Sequence, residues 1–532
     1  MARVTLSDPV RDYVQARVAE MNGDHAEAAQ LLASLAAAEP GQIDLSKKAL
    51  EEALSAGQMD LALRLARTIP PQKLSTDARL ALAADEIRRG HPERAQPWLT
   101  VPGAAGDLSF LVPLVNAWTS ADRGDAAQAL ASLDQISARG LLAPLMDEQH
   151  ALILLKLKRT ADAEPFARRA VGNAGAREPR LRLAFADGFL AAGDRARALM
   201  IIDGMGEGEV AARRRIMVGR MSGEAIDSLP EAFGEVLAYF AADLTRMQRS
   251  APPVALVQVA RYVDPANSRT TALLALLLAQ QQRTDEALAL LRTVPANDAL
   301  IGEIRDVQSR ILRSAKRFDE AYQLAASATV VPNASFADFS RLGDVLEAMK
   351  RHDAAADAYG RALALAQAEN LKGELWSLLL LRANALEEAN RWPEAKAALQ
   401  QGLALEPDQP LLLNFLGYAE LEHGENLDSA EAMIAKASEL APDDASITDS
   451  LGWAQLRRGK VDEAISTLQD AAEKDPAQAE IQEHLGDALY RSGRHYEARF
   501  AWRAALVTAE DDVAARVKAK LASGLTPANA AP

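Results

Sequence analysis

The sequence predicts an all-α solenoid of stacked helix-turn-helix units, and three observations in its 532 residues predict it. A position that is small in nearly every copy recurs at Ala16, Leu50, Ala83, Ala117, Ala151, Ala186, Ala241, Ala275, Ser309, Gly343, Ala383, Gly417, Gly452 and Gly486, mostly 34 residues apart. An alanine follows twelve residues later in most copies, from Ala28 and Ala62 through Ala395 to Ala464 and Ala498. The composition agrees, with 49% hydrophobic residues, 5% aromatic residues and abundant alanine, which favours helix and close helix packing.

The clearest copy reads DSLGWAQLRRGKVDEAISTLQDAAEKDP, and each residue type in it has a physical task. Gly452 and Ala464 let the first helix of the unit, A, approach the second, B. Leu451, Leu468 and Ala471 fall at helical spacing on the inward face. Gly459 suits the turn because it accepts positive φ. Pro476 stops helix B, since it donates no i→i−4 bond. This pattern resembles the tetratricopeptide repeat (TPR), which implies a right-handed superhelix of about 14 repeats. Gly417, Gly486 and Ala498 hold the same structural positions in neighbouring copies.

Departures from the beat predict the domain plan. Residues 1–205 read as a degenerate N-terminal array. The one 55-residue interval contains GMGEGE and MSGEAIDSLP, so 206–232 reads as an irregular insert or hinge with Gly204, Gly206 and Gly208 as flexible points. A C-terminal array follows over 233–510, within which Pro253 replaces the helix B alanine at a helix start and the unit on Gly417 carries one extra residue. Residues 511–524 form an amphipathic capping helix and 525–532 a disordered tail.

Net charge is −15, so a phosphate backbone would be repelled over most of the surface and nucleic acid is not an expected partner. The run Arg213, Arg214, Arg215 reads as a solvated helix face. With no cysteine, thiolate metal sites and cysteine nucleophiles are excluded for this chain. The seven histidines make no paired-ligand spacing, and no phosphate loop or nucleophile elbow occurs. These features predict no metal, no cofactor and no enzyme. No run of about 18 apolar residues is present to span a membrane. The opening residues lack a signal-peptide core, so the protein is either cytoplasmic or exported by a signal outside this numbering. Oligomeric state is not legible.

A repeat array of this kind predicts a protein or peptide partner, held on the concave face that A helices line. With the recurring small residue as position 8, positions 5 and 9 are Asn414 and Tyr418, Asp449 and Trp453, Glu483 and Asp487, with Asn384 on the preceding A helix and Tyr490 one turn beyond. This aromatic and acidic set is the candidate partner-binding surface. The other reading is that Tyr418 and Trp453 fill gaps between adjacent repeats. A carboxylate clamp is disfavoured, because its lysines are missing.

The C-terminal order LGY, DSLGW, HLGD, with one inserted residue after the first, resembles bacterial TPR lipoproteins that act as adaptors for periplasmic C-terminal processing proteases, over about 410–506. The resemblance implies a noncatalytic envelope adaptor that binds such a protease. Those adaptors are lipidated on a cysteine, which this chain lacks. A cytoplasmic TPR scaffold or assembly factor with unrelated partners is the alternative, and an enzyme accessory subunit a more distant one.

Overall fold

The computed structural model describes residues 9–247, 252–332 and 334–531, which contain helices and no strand. The chain divides into two compact units after residue 333. The first holds α1 (Pro9–Met21), α2 (His25–Ala38), α3 (Ile43–Ser55), α4 (Met59–Ala66), α5 (Thr76–Arg88), α6 (Pro92–Leu99), α7 (Val112–Asp122), α8 (Ala126–Leu133), α9 (Met146–Lys156), α10 (Thr160–Gly172), α11 (Glu178–Ala191), α12 (Arg195–Ile201), α13 (Glu209–Met217), α14 (Leu229–Met247), α15 (Val254–Val263), α16 (Ser268–Gln280), α17 (Thr284–Leu291), α18 (Ile301–Ser314) and α19 (Phe318–Thr329). The second holds α20 (Phe336–Ala348), α21 (His352–Ala368), α22 (Lys372–Glu388), α23 (Trp392–Leu405), α24 (Pro410–Glu422), α25 (Leu427–Leu440), α26 (Ala445–Arg457), α27 (Val461–Lys474), α28 (Ala479–Arg491), α29 (His495–Thr508) and α30 (Asp511–Ser523). They form A/B pairs in sequence, with α13 and α30 outside the pairing.

Local chemistry explains each pair. The turn between A and B requires one residue at positive φ, and Gly23, Gly57, Gly90, Gly124, Gly193, Gly459 and Gly493 supply it. Lys158, Gln282, Lys316, Lys350 and Asn390 take the same left-handed conformation with a side chain attached. After Gly23, Gly124 and Gly193 an aspartate caps helix B: Asp24, Asp125 and Asp194 each accept from the backbone N–H three residues on. Other units place an arginine there that pairs with the acid three residues later, as in Arg283–Glu286 and Arg391–Glu394, both at 2.7 Å.

The small residues sit where A meets B. The helix B alanines Ala28, Ala62, Ala95, Ala129, Ala163, Ala198, Ala287, Ala321, Ala355, Ala395, Ala430, Ala464 and Ala498 are all fully buried. On helix A a Cβ added at Gly417 would stand 2.7 Å from the Ala430 carbonyl oxygen, and one at Gly486 would stand 2.3 Å from Trp502 Cδ1. Trp502 therefore fills the space that the missing side chain leaves, and the helices close to contact.

The structure departs from the predicted domain plan in the first unit. Residues 206–232 were expected to be an irregular insert or hinge, yet they contain α13, and Asp187 on α11 accepts from the backbone N–H of Ser222 (2.7 Å), Gly223 (3.0 Å) and Glu224 (3.1 Å). Lys156 Nζ also donates to the Asp227 carbonyl at 2.5 Å. The insert is thus a fastened return segment. It sends α14 and α15 back over the earlier A helices α3, α5 and α7, which is why the unit boundary falls after residue 333 and not at 206–232.

The end of the chain departs too. Residues 525–531 were expected to fray, but Thr526 N–H donates to Asn529 Oδ1 (2.7 Å) and Ala531 N–H to Asp487 Oδ2 (3.2 Å), with Asn529 and Ala531 buried. Pro532 lies outside the described residues.

Candidate partner-binding surface

In the first unit the A-helix row is covered by the chain itself. Tyr262 on α15 donates its hydroxyl to Asp85 on α5 at 2.8 Å, and Phe240 on α14 meets Phe110 edge-on at 5.9 Å. Below them lies a buried ionic network. Arg180 Nε donates to Glu235 at 3.0 Å, Arg180 also pairs with Glu224, and Arg177 reaches Glu148 at 2.7 Å. Burial, the largest influence, pushes Glu224 up to about 7 and Asp264 up to about 6, against the opposing pull of Arg180. Glu235 has the same burial, but Arg180 and Arg177 outweigh it and hold the carboxyl at about 2.

In the second unit the predicted surface residues separate into two groups. Trp453 is 1% exposed, its ring stacked 4.4 Å from His484 on the next A helix, and His484 Nδ1 lies 2.8 Å from Asp449. Burial disfavours the His484 imidazolium, but Asp449 outweighs it, so the pKa is raised. Glu483 and Asp487 are fully buried as well. Lys520 on α30 reaches Glu483 at 2.6 Å and Asp487 at 2.8 Å, while Trp502 Nε1 donates to Asp487 at 2.9 Å. Arg516 adds a second cation on Glu483 at 2.9 Å. Burial raises the Glu483 pKa, yet Arg516 and Lys520 together bring it below the usual carboxylate range.

Asp449, Glu483 and Asp487 are therefore inter-repeat and capping contacts, contrary to the expectation of an acidic binding face, and Trp453 follows the other reading, in which it fills the gap between adjacent repeats. The physical reason is direction. On α26 and α28, positions 5 and 9 project sideways onto the next helix of the stack, where α30 stands in for an A helix. Tyr490 is half-buried, stacked 4.2 Å from His495.

The other group stays accessible. Asn384 on α22 is exposed, whereas Asn414 and Tyr418 on α24 are half-buried. The Asn414 Oδ1 atom is buried and has no hydrogen-bond partner. Burial first, then Glu422 and Asp449, hold the Tyr418 phenol above its usual range, so it stays neutral and able to donate. Two residues that positions 5 and 9 alone do not find complete the strip: Leu381 (37% exposed) and Leu411 (44% exposed). Their signal was spacing, since Leu411, Asn414 and Tyr418 follow i, i+3, i+7, and Leu381 precedes Asn384 by three. The strip holds no charged catalytic cluster. No group of three histidine, cysteine or acidic residues among the described ones is arranged to hold a metal.

The tetratricopeptide repeat family matches residues 380–445 and 450–514, which include α24 and the helices stacked after it. These C-terminal units are TPRs. The match spans the strip on Leu381, Asn384, Leu411, Asn414 and Tyr418 together with the two last TPR pairs. Among curated proteins none matches the chain in sequence. Of solved structures, the Cut9–Hcn1 assembly of the APC/C aligns over 98% of this chain and 97% of its own at 15% identity and TM-score 0.37. Yeast Tom70 aligns over 97% and 95% at 11% identity and TM-score 0.35. YrrB, described as a TPR protein with an unusual peptide-binding site, covers 37% of this chain and 100% of its own, at 18% identity and TM-score 0.28. TM-scores this low carry no functional inference. The TPR units provide a protein-interaction scaffold, and no described helix is long and apolar enough to cross a membrane.

Proposed function

We propose that the chain is a noncatalytic adaptor that holds a protein partner on the strip formed by Leu381, Asn384, Leu411, Asn414 and Tyr418. One observation carries the reading: α22 and α24 leave Leu381, Asn384 and Leu411 exposed beside the half-buried Asn414 and Tyr418, whereas the A helices α26 and α28 turn their matching residues into packing. Apolar anchors beside a few polar groups suit an extended or helical peptide. An acceptor on the partner takes the Tyr418 hydroxyl.

The partner class comes from the resemblance of 410–506 to adaptors of C-terminal processing proteases. On this reading the second unit grips the protease and presents substrates to it without joining in the chemistry. The test is isothermal titration of the purified protease, from the organism that supplies the chain, into wild type and into Asn414→Ala/Tyr418→Ala. Micromolar or tighter binding that falls at least tenfold in the double variant supports the proposal. No heat with wild type overturns the protease assignment, and equal affinities overturn the strip.

A further inference from the structure

The fold-back of α15 creates a groove that the array alone would not possess. It lies beside the start of α4, the end of α5 and the C-terminal half of α15, encloses about 760 Å³, and is lined by residues that include Met59, Arg64, Arg88, Gln258, Arg261 and Tyr262. Gly57 at its rim approaches Gln258 so closely that a Cβ there would stand 2.7 Å from the amide oxygen. Residues about 200 positions apart in sequence thus share one wall.

The charge of this groove opposes that of the protein. Three arginines and one acid, Asp60, line it, in a chain of net charge −15. None of Arg64, Arg88 and Arg261 forms an ion pair among the described residues. The nearby Asp85 is already committed: it pairs with Arg67, lies 3.1 Å from Arg89, and accepts the Tyr262 hydroxyl. Arg88 is stacked 4.5 Å above the Tyr262 ring, which fixes its guanidinium at the wall. The Arg261 Nε is buried with no hydrogen-bond partner. A buried donor of that kind leaves desolvation uncompensated until an acceptor arrives.

We propose that this groove binds an acidic peptide segment, whose carboxylates are received by Arg64, Arg88 and Arg261. The planar guanidinium takes a carboxylate through two parallel hydrogen bonds, and three of them along one groove match acids spaced along an extended chain. Met59, Leu61 and Pro265 supply apolar wall for the side-chain stems. A nucleic acid fits less well. The Tyr262 face that would stack a base is occupied by Arg88, and the surrounding charge repels a phosphate backbone. The site is separate from the strip on α22 and α24 and goes beyond the adaptor reading.

The probe is a fluorescein-labelled octapeptide of alternating glutamate and serine, compared with its glutamine counterpart by anisotropy against the full chain. The glutamate peptide is expected to bind at least tenfold more tightly, and to weaken as salt rises. Arg64→Glu is exposed and unpaired in the structure, so it should keep the melting curve while weakening the glutamate peptide at least tenfold; Arg261→Gln should weaken it in the same direction. Equal affinity for the two peptides, no binding by wild type, or unchanged binding in both variants overturns the proposal. So does an octauridine that binds more tightly than the peptide and is lost in the same variants.

Discussion

Lys520 Nζ lies 2.6 Å from Glu483 Oε1, and both side chains are wholly shielded from water. The pair joins α30 to α28, with Asp487 as a second acceptor at 2.8 Å. An unpaired charge left in such a place is costly, whereas a matched pair roughly offsets its own desolvation. Lys520→Met should therefore destabilise the C-terminal unit by about 3 kcal/mol. Adding Glu483→Gln and Asp487→Asn should recover part of that loss. Urea unfolding of the single and triple variants measures both.

Trp453 and Tyr418 occupy the same position in adjacent repeats and should behave differently. Trp453 is enclosed and stacked on His484, so Trp453→Ala should cost about 3–5 kcal/mol by opening a cavity. Tyr418 is half-buried beside the accessible strip, and Tyr418→Ala should cost much less stability while lowering partner affinity. Thermal melts paired with titration distinguish the two effects in each variant.

The buried carboxyl of Glu224 sets a pH dependence opposite to ordinary acid denaturation. Its folded pKa of about 7 stands above the reference value of 4.5, so the folded state binds its proton more tightly. Stability from this group is present below 4.5 and is lost as pH rises through 7, on the order of 3 kcal/mol in all. Glu224→Gln mimics the protonated form. It should match wild type at pH 4.5 and melt higher at pH 8, with a flatter profile between.

Lys350 holds φ at 57° in the A-to-B turn with its side chain exposed. Glycine adopts that conformation without the Cβ penalty, although it gives the unfolded chain more freedom. Lys350→Gly should stabilise the C-terminal unit by up to about 1 kcal/mol in urea unfolding.

Much of this fold was legible because repetition is a local signal. The A/B pairs, the glycine turns and the buried alanines all follow from spacing within about 34 residues. The fold-back was not legible, since the Tyr262–Asp85 hydrogen bond joins residues 177 positions apart and leaves no periodic mark. The candidate surface was legible in part. Spacing put Asn414 and Tyr418 on one helix face, but it could not show that α30 presents Lys520 to Glu483 and Asp487. A lysine at the small-residue register of a terminal helix, 34 positions after Gly486, was the available signal.

The central claim is that the accessible strip on α22 and α24 takes the partner. Hydrogen–deuterium exchange of the full chain, with and without the purified processing protease, tests it most directly. Slowed exchange concentrated in residues 381–418, with 445–491 changed little, is the predicted result. Protection confined to other helices, with 381–418 unchanged under saturating protease, would contradict it.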